Sequence, residues 1–346
     1  MKHTYIIGEI GQNHNGSVDI AKLIVELVAR PVYEATFGIH LKPMDAVKLT
    51  KRDLTEELTN SQMRKPYITP HSFGRTYGEH RAFLELTDDA HFEVYRQAKS
   101  FGLDFIETLC SKSCLSLLKL FTPDRLKVAS RDLTNLPLLE ALAETRIPII
   151  LSTGMCGVQE LDQALEIITR YHNEVSILHC VSQYPTSPDH LNLRTIDYLK
   201  RNYSEYKIGF SDHTIGISAP VVAVGMGAEI IEKHITIDRN MKGTDQSGSL
   251  GPDGVSRMIR DIRIAERWLG KDALFIDENV IEAKTKLERS IATKRPLKAG
   301  HVLRESDFHL LSPGDGFKWN ERAKLEGMVL QEDLGENELI YKRYIK

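Results

Sequence analysis

Two segments decide the fold, Gly209-Phe-Ser-Asp-His213-Thr and Ile231-Glu-Lys-His234-Ile-Thr. In each, an apolar run of strand-forming residues turns polar at its end, which is typical of a buried strand that reaches an open mouth. The small-residue run 217–228 between them predicts a helix, so together they predict a strand–helix–strand unit. Because parallel strands of such a unit end on one face, His213 and His234 are expected to lie together. Two imidazoles placed in this way suit a divalent metal.

Outward from this unit, the same alternation of strand and helix recurs through residues 1–272. It predicts an α/β fold, a (β/α)₈ TIM barrel, with a doubly wound open sheet as the alternative. Polar residues follow every strand rather than one switch point, and this favours the barrel. The predicted strands are Tyr5–Glu9, Asp45–Thr50, Asp104–Thr108, Arg125–Ser130, Pro148–Gly154, Val175–Cys180, Tyr206–Ser211 and Ile230–Glu232.

Three stretches between these strands carry separate predictions. Arg30–Pro43 reads as an irregular insertion in the first helix–strand connection. Asp53–Glu85 is polar and rich in turn formers, and its length favours a lid or wall beside an active site. The apolar spacing of Leu115–Leu120 predicts a short helix.

The pattern changes after Gly270. Residues 273–288 are charged and predict a partly helical linker. Residues 289–346 contain short apolar pairs and glycine turns, which predict a small β-rich domain. Within it, residues 297–308 and 334–345 place their apolar side chains alike, as expected of a pseudo-two-fold repeat.

Composition narrows the class of protein. The chain has 346 residues and a net charge of −3, so no general attraction to nucleic acid or to an anionic membrane is expected. No apolar run approaches the length of about 18 residues that a membrane span needs. The first residues form no secretory signal, and the four cysteines form no CxxC pair. We therefore expect free thiols and a cytoplasmic location.

Two lysines are placed for anion binding. Lys48 and Lys127 end apolar strands on the predicted rim, where an idle charge is costly to bury. With the hydroxyls of Thr108, Ser130 and Ser211, they form a cradle for phosphate or carboxylate. The alternative is that both are surface lysines with extended stems. Since the chain has no P-loop and no GxGxxG motif, a nucleotide is not implied.

Two carboxylates complete the set that the residues themselves suggest. Glu9 and Asp245 are candidates for a further metal ligand, a contact to a substrate hydroxyl or a proton carrier. Each is alternatively a capping or solvated carboxylate. The residues alone predict a metal-assisted barrel enzyme that acts on a small, anion-rich molecule.

Taken together, these stretches resemble the sialic acid synthase family, which includes the legionaminic and pseudaminic acid synthases. The resemblance runs through the whole barrel in the order of the family's motifs, and residues 289–346 resemble its antifreeze-like (SAF) domain. The matching stretches are Gly8–Gly16, Ala46-Val-Lys48, Leu126–Ser130, Thr134–Leu139, Ile150–Met155, His179–Thr186, Ser211–Thr214 and Glu232–Thr236.

The resemblance implies a condensation of phosphoenolpyruvate with an open-chain N-acylated hexosamine, which gives a nonulosonic acid and phosphate. It implies that His213 and His234 hold a divalent metal, Mn²⁺ or alternatively Mg²⁺ or Co²⁺, and that Glu9 handles a proton. It also implies a domain-swapped homodimer. The residues that it assigns to phosphoenolpyruvate are Lys48, Thr108, Lys127, Ser130, Ser182 and Ser211, and those that it assigns to the sugar are Thr50, Asp132, Tyr184 and Asp245.

The sequence departs from the family pattern mostly at the sugar end. Thr50 replaces a glutamine, and Asp132 replaces a glutamate and follows Arg131 rather than a glycine. Ser182 replaces an asparagine, and Ser312 stands where the C-terminal domain carries an arginine for the acyl group. The reaction is therefore better defined than its acceptor.

Three alternatives stay open. The acceptor can be a 2,4-diacetamido hexose, as in a legionaminic- or pseudaminic-type synthase. A metal-dependent barrel aldolase or hydrolase would need carboxylate-rich metal ligation and has no use for paired rim lysines. A non-catalytic carbohydrate-binding protein would leave the set of rim residues unexplained.

Overall fold

A closed barrel of eight parallel strands is formed within residues 3–346, the part of the chain that this computed structural model describes. The barrel order is β1-β10-β9-β8-β7-β6-β5-β4, and the (β/α)₈ prediction is confirmed. Its unit ends at Gly270. The strands of this unit are β1 (Tyr5–Glu9), β2 (Val32–Glu34), β3 (Ile39–Leu41), β4 (Ala46–Lys51), β5 (Asp104–Leu109), β6 (Arg125–Val128), β7 (Ile149–Ser152), β8 (Val175–Cys180), β9 (Lys207–Asp212) and β10 (Ile230–His234).

Helices connect the barrel strands, and side-chain caps begin several of them. The Ser17 hydroxyl accepts a hydrogen bond from the Ile20 N–H at the start of α1, and Asn135 caps α6 in the same way. The helices are α1 (Val18–Ala29), α2 (Leu54–Glu57), α3 (Asn60–Arg64), α4 (Tyr77–Leu84), α5 (Asp88–Ser100), α6 (Leu136–Glu144), α7 (Val158–Thr169), α8 (Thr195–Asn202), α9 (Ser218–Gly225) and α10 (Pro252–Trp268), with 3₁₀ turns at Ser113–Lys119, Ser130–Asp132, Pro188–His190 and Gln246–Gly248.

One local prediction is sharpened and one is corrected. The helix predicted at Leu115–Leu120 is a 3₁₀ helix that spans Ser113–Lys119. The insertion Arg30–Pro43 is not irregular, because β2 and β3 pair as an antiparallel hairpin. Its strand-forming residues are joined through Gly38, whose φ of +63° suits a tight turn.

The barrel interior changes from apolar to polar along the strands. Near the strands' amino ends, the inward side chains form a small apolar layer. Since side chains alternate with a period of two, the next inward residue of each strand lies closer to the carboxyl end. These next positions are polar or charged, as in Glu9, Lys48 and Glu232. The apolar layer consists of Ile7, Ala46, Ile106, Ile150, Leu178 and Ile230.

The second unit comprises residues 271–346 and so includes the stretch predicted as a linker. It contains α11 (Ile281–Leu287) and a two-stranded antiparallel sheet of β11 (Ser290–Thr293) and β12 (Phe308–Leu311). The two repeat-like stretches meet, because Leu297 and Leu334 exchange backbone hydrogen bonds of 2.8 and 2.9 Å. Its 3₁₀ turns are Glu278–Val280, Glu305–Asp307, Trp319–Lys324 and Lys342–Tyr344, and its own core is built from Ile291, Leu297, Leu303, Phe308, Leu325, Leu330, Leu334 and Ile340.

Within the part of the chain that the structure describes, no helix combines the length and the apolar character that crossing a membrane requires.

Candidate active site

The carboxyl ends of the barrel strands open into a cavity of about 500 Å³. Most of the residues predicted from the sequence line this cavity. Asp132 does not line it, and its carboxylate instead accepts a hydrogen bond from Arg131, with 3.2 Å between Oδ2 and Nε. The predicted residues that do line it are Glu9, Lys48, Thr50, Thr108, Lys127, Ser130, Ser182, Tyr184, Ser211, His213, His234 and Asp245.

The bottom of the cavity is a cluster of four charged side chains, Glu9, Lys48, Lys127 and Glu232, which we call the floor. Lys48 pairs with the Glu9 carboxylate, and its Nζ lies 3.7 Å from Glu232 Oε2. Lys127 Nζ lies 3.8 Å from Glu232 Oε1. Each of the four is at most 5% exposed. Charges buried this deeply persist because each has an opposite charge beside it.

Hydroxyl groups surround the floor. Lys48 Nζ donates to Thr108 Oγ1 at 3.3 Å, and Lys127 Nζ donates to Ser152 Oγ at 2.6 Å. Ser211 Oγ donates to Glu232 Oε1 at 2.8 Å. Ammonium and hydroxyl donors therefore converge on one small volume, which is the donor set that a phosphate or carboxylate group requires.

The two floor carboxyls differ in their protonation. Burial raises the pKa of Glu9 to about 7, against the opposing effect of Lys48. Burial acts in the same direction on Glu232, but Lys127 and Lys48 outweigh it and lower that pKa to about 2. Near neutral pH, Glu232 is ionised and Glu9 can exchange a proton. Such a separation of pKa values between neighbouring carboxyls is typical of acid–base sites.

His213 and His234 lie together at the rim, as predicted, with their ring centroids 5.4 Å apart. The ring of Tyr184 packs on His213 at 4.0 Å, and His213 Nδ1 lies 2.9 Å from the Val181 carbonyl oxygen, to which it can donate. His234 Nδ1 is buried without a hydrogen-bond partner in the structure. A partnerless buried ring nitrogen is the observation that fits a metal ligand.

The protonation state of the two imidazoles also suits metal binding. Burial lowers the pKa of both His213 and His234, that of His213 to about 4. Neutral imidazoles carry the lone pairs that a metal binds. Among residues 3–346, no group of three or more histidine, cysteine or acidic side chains is arranged for metal binding. The fit therefore rests on two imidazoles.

Gly154 lets the backbone after β7 lie against two serine hydroxyl groups of the site. Its N–H donates to Ser130 Oγ at 3.0 Å. A Cβ at this position would lie 2.5 Å from Ser182 Oγ and 2.9 Å from Ser130 Oγ. Only glycine allows the backbone after β7 to approach both serines.

Sequence reasoning assigned no role to several side chains of the cavity. Glu232 could have been found, because alternation along β10 puts it on the inward face with His234. The remaining side chains lie beside the barrel mouth. They include three arginines, Arg52, Arg81 and Arg131, and we call these three arginines the wall. The stretch predicted as a lid or wall supplies Arg81 and, beside it, Tyr67, Tyr77 and His80.

The fold and the cavity define a (β/α)₈ barrel whose mouth holds two buried lysines beside a pair of imidazoles. The model of the NeuB family matches residues 41–273, and that of the SAF domain matches residues 288–343. The chain belongs to the NeuB family and is an enzyme of the sialic acid synthase type, as the sequence motifs predicted.

Three similar proteins illustrate the range of the family. The chain is 32% identical to N-acetylneuraminate-9-phosphate synthase of Homo sapiens, over 86% of this chain and 80% of that one. It is 32% identical to N,N'-diacetyllegionaminic acid synthase of Legionella pneumophila, over 99% and 94%. The crystal structure of N-acetylneuraminic acid (sialic acid) synthetase from Leptospira borgpetersenii in complex with citrate has a TM-score of 0.68 and 29% identity, over 81% and 90%.

Proposed function

We propose that this enzyme condenses phosphoenolpyruvate with an open-chain N-acylated hexosamine and releases a nonulosonic acid and phosphate. One observation carries the proposal: a buried floor of two lysines and two glutamates lies in the same cavity as a pair of rim imidazoles. The similar proteins are named as synthases of acids of this kind, which supports the same reaction here.

The floor is suited to phosphoenolpyruvate, a small molecule with a phosphate and a carboxylate. Lys48 and Lys127 would each exchange part of their pairing with glutamate for a substrate oxygen. The hydroxyls of Thr108, Ser130 and Ser211 add neutral donors, and Ser182 lies beside them. In a buried site, such preorganised donors stabilise charge far better than water does.

The floor carboxyls have separate tasks in this proposal. C3 of phosphoenolpyruvate forms a bond to the aldehyde carbon, a water oxygen adds at C2, and phosphate leaves with cleavage of its bond to C2. Glu232 is ionised and can stabilise the positive character that develops at C2. Glu9, whose pKa is raised to about 7, is matched to accepting the proton of the water or delivering one to the new hydroxyl oxygen.

His213 and His234 would hold a divalent metal, Mn²⁺ in the first place and Mg²⁺ or Co²⁺ as alternatives. Bound there, the metal would supply Lewis acidity to the sugar aldehyde. The chain's own contribution is to keep both imidazoles neutral and oriented, with His213 fixed by Tyr184 and by the Val181 carbonyl. Tyr184 and Asp245 border the same part of the cavity and are proposed to contact the sugar. The homodimer and the cytoplasmic location stay predictions.

The test measures phosphate release from phosphoenolpyruvate with a panel of N-acyl hexosamines and 2,4-diacetamido hexoses. Release is expected only when phosphoenolpyruvate, an acceptor sugar and Mn²⁺ are all present. His213→Ala should abolish turnover and leave the circular dichroism spectrum unchanged. If chelation of the metal left the rate unchanged, the role of the imidazole pair would be wrong.

A further inference from the structure

One buried ion pair of the barrel has no task in the proposed reaction. Lys233 Nζ lies 2.6 Å from Asp212 Oδ2, and the two side chains are 1% and 0% exposed. Side chains alternate along β10, so Lys233 faces away from the barrel interior, toward which Glu232 and His234 point. Lys233 does not line the cavity. The role of the pair therefore has to lie in what it holds in place rather than in contact with a substrate.

Each partner of this ion pair directly precedes one of the rim imidazoles. Asp212 is followed by His213, and Lys233 is followed by His234. Asp212 and Lys233 are also neighbours in the ladder between β9 and β10. Since consecutive Cα atoms are only about 3.8 Å apart, a displacement of either partner also displaces the imidazole beside it. One ion pair thus joins the two segments of the chain that carry the imidazoles.

The ion pair also fixes both backbone polar groups of Thr214. Asp212 Oδ1 accepts a hydrogen bond from the Thr214 N–H at 2.8 Å, and Lys233 Nζ donates to the Thr214 carbonyl oxygen. His213 therefore lies between two residues that are bound to the same pair. Its own carbonyl oxygen accepts a hydrogen bond from the Thr186 N–H at 3.0 Å. The backbone of His213 is restrained on both sides.

Stability alone does not account for a pair buried so deeply. Taking two charges out of water is costly, and apolar residues of similar volume often replace a buried ion pair without loss of stability. Apolar residues cannot supply the acceptor and the donor that the Thr214 backbone uses here. Charge-assisted hydrogen bonds are short and directional, so they define the geometry of this turn narrowly. What the pair contributes is a fixed backbone beside the imidazoles.

We infer, on the basis of the proposed function, that Asp212 and Lys233 are positioning residues that hold His213 and His234 at the spacing which a divalent metal needs. Only two imidazoles hold the metal in that proposal, so its affinity depends directly on how well their spacing is kept. Ligands placed in this way need supporting residues that fix them to within about 0.5 Å. The ion pair supplies that support for both imidazoles at once.

The first experiment measures Mn²⁺ binding without substrates, by electron paramagnetic resonance of the free ion. Lys233→Met/Asp212→Asn removes both charges together, so no buried ion is left unpaired and the variant should unfold at nearly the wild-type urea concentration. The Kd for Mn²⁺ should rise about tenfold, as is typical when a residue that orients a metal ligand is lost. Asp212→Asn alone keeps the lysine donor to the Thr214 carbonyl and should raise the Kd by a smaller factor, about threefold.

The matched control is an ion pair at the other end of the barrel strands. Asp124 immediately precedes β6, and its carboxylate likewise joins an ammonium group, that of Lys99 at 2.9 Å, to a backbone N–H, that of Phe105 at 2.7 Å. Lys99→Met/Asp124→Asn should leave the Kd for Mn²⁺ unchanged. An equal loss of Mn²⁺ affinity in this control would overturn the inference, because the effect would then not depend on the neighbourhood of the imidazoles.

The second experiment separates positioning from general damage to the site. In steady-state phosphate release, the activation constant for Mn²⁺ should rise in Lys233→Met/Asp212→Asn by the same factor as the Kd, and the KM for phosphoenolpyruvate should stay unchanged. A folded double variant that binds Mn²⁺ as tightly as the wild type would overturn the inference and leave the proposed function standing. If His213→Ala also bound Mn²⁺ as tightly as the wild type, the proposed metal site itself would be wrong.

Discussion

The floor and the wall of the cavity both hold cations, but they are built in different ways. Floor side chains project from barrel strands, are at most 5% exposed, and pair with one another. Wall side chains lie outside the barrel strands, with Arg52 and Arg131 shortly after β4 and β6 and Arg81 on α4. The Arg131 side chain is 35% exposed. The carboxylates that pair with Arg52 and Arg131, those of Glu57 and Asp132, do not line the cavity.

This difference separates the chemistry from the choice of substrate. A charge cluster on hydrogen-bonded strands holds its geometry closely, which a bond-forming reaction needs. Connections tolerate changes of sequence and length, so they can alter the acceptor without moving the reacting groups. The similar synthases are named for different sugar acids.

The largest expected effect comes from removing one lysine of the floor. Lys127→Met removes one of the two floor cations, and kcat/KM for phosphoenolpyruvate should fall about 1000-fold, equivalent to about 4 kcal/mol. Steady-state phosphate release measures it. Lys22→Met, at an exposed ion pair with Glu93, is the control.

Loss of fold is a competing explanation for that result, because Glu232 loses one of its two lysines. The double variant Lys127→Met/Glu232→Gln removes the unbalanced charge, so it should unfold at nearly the wild-type urea concentration and stay inactive. Activity in the folded double variant would contradict the role of the floor.

The second prediction concerns the hydroxyls beside the floor. Gly154→Ala places a Cβ against Ser182 and Ser130, and overpacking of this kind should lower the free energy of unfolding by about 2 to 3 kcal/mol. The KM for phosphoenolpyruvate should rise about tenfold as the serines move. Gly225→Ala is the matched control, because its Cβ would meet nothing within 4 Å. A Gly154→Ala enzyme with normal stability would show that the site is less rigid than proposed.

The third prediction tests whether a residue on a connection can be as firmly buried as the floor. Burial, with a smaller effect of His91, lowers the pKa of His14 in the β1–α1 connection from its ordinary 6.5 to about 4. As the pH falls below 6.5, the unfolded chain takes up this proton before the folded chain does, so stability is lost until the pH reaches about 4. Between pH 7 and pH 5 the contribution of His14 should be about 2 kcal/mol.

Urea unfolding of the wild type and of His14→Gln at both pH values isolates this contribution. The variant should lose about 2 kcal/mol less stability than the wild type on acidification. Parallel losses in the two proteins would mean that His14 is accessible to solvent protons in the folded state.

The difference between the floor and the wall also explains which parts of the site the sequence could predict. Lys48, Lys127, His213 and His234 lie within or directly after apolar strands, so the period of two and the closure of the barrel bring them together without further information. Glu232 follows from the same rule. Positions on strands are fixed by a repeating geometry, and all five of these side chains line the cavity.

The wall could not be placed in this way. Arg81 lies on α4 within a stretch predicted only as a lid or wall, and Arg131 was noted only as a departure from a family pattern. Asp132, one residue further, was expected at the sugar but does not line the cavity, and its carboxylate accepts a hydrogen bond from Arg131 within the 3₁₀ turn Ser130–Asp132. Local turn geometry, rather than periodicity, decides which side chain enters the cavity.

The most direct test of the central claim follows the bridging oxygen of phosphoenolpyruvate. The substrate is labelled with oxygen-18 between C2 and phosphorus and turned over with the acceptor sugar that gives the fastest release. Condensation with cleavage of the bond between C2 and oxygen places the label in the released phosphate and adds the three carbons of phosphoenolpyruvate to the sugar, as mass spectrometry would show. Label retained in the organic product, or release of unlabelled phosphate with pyruvate, would contradict the account.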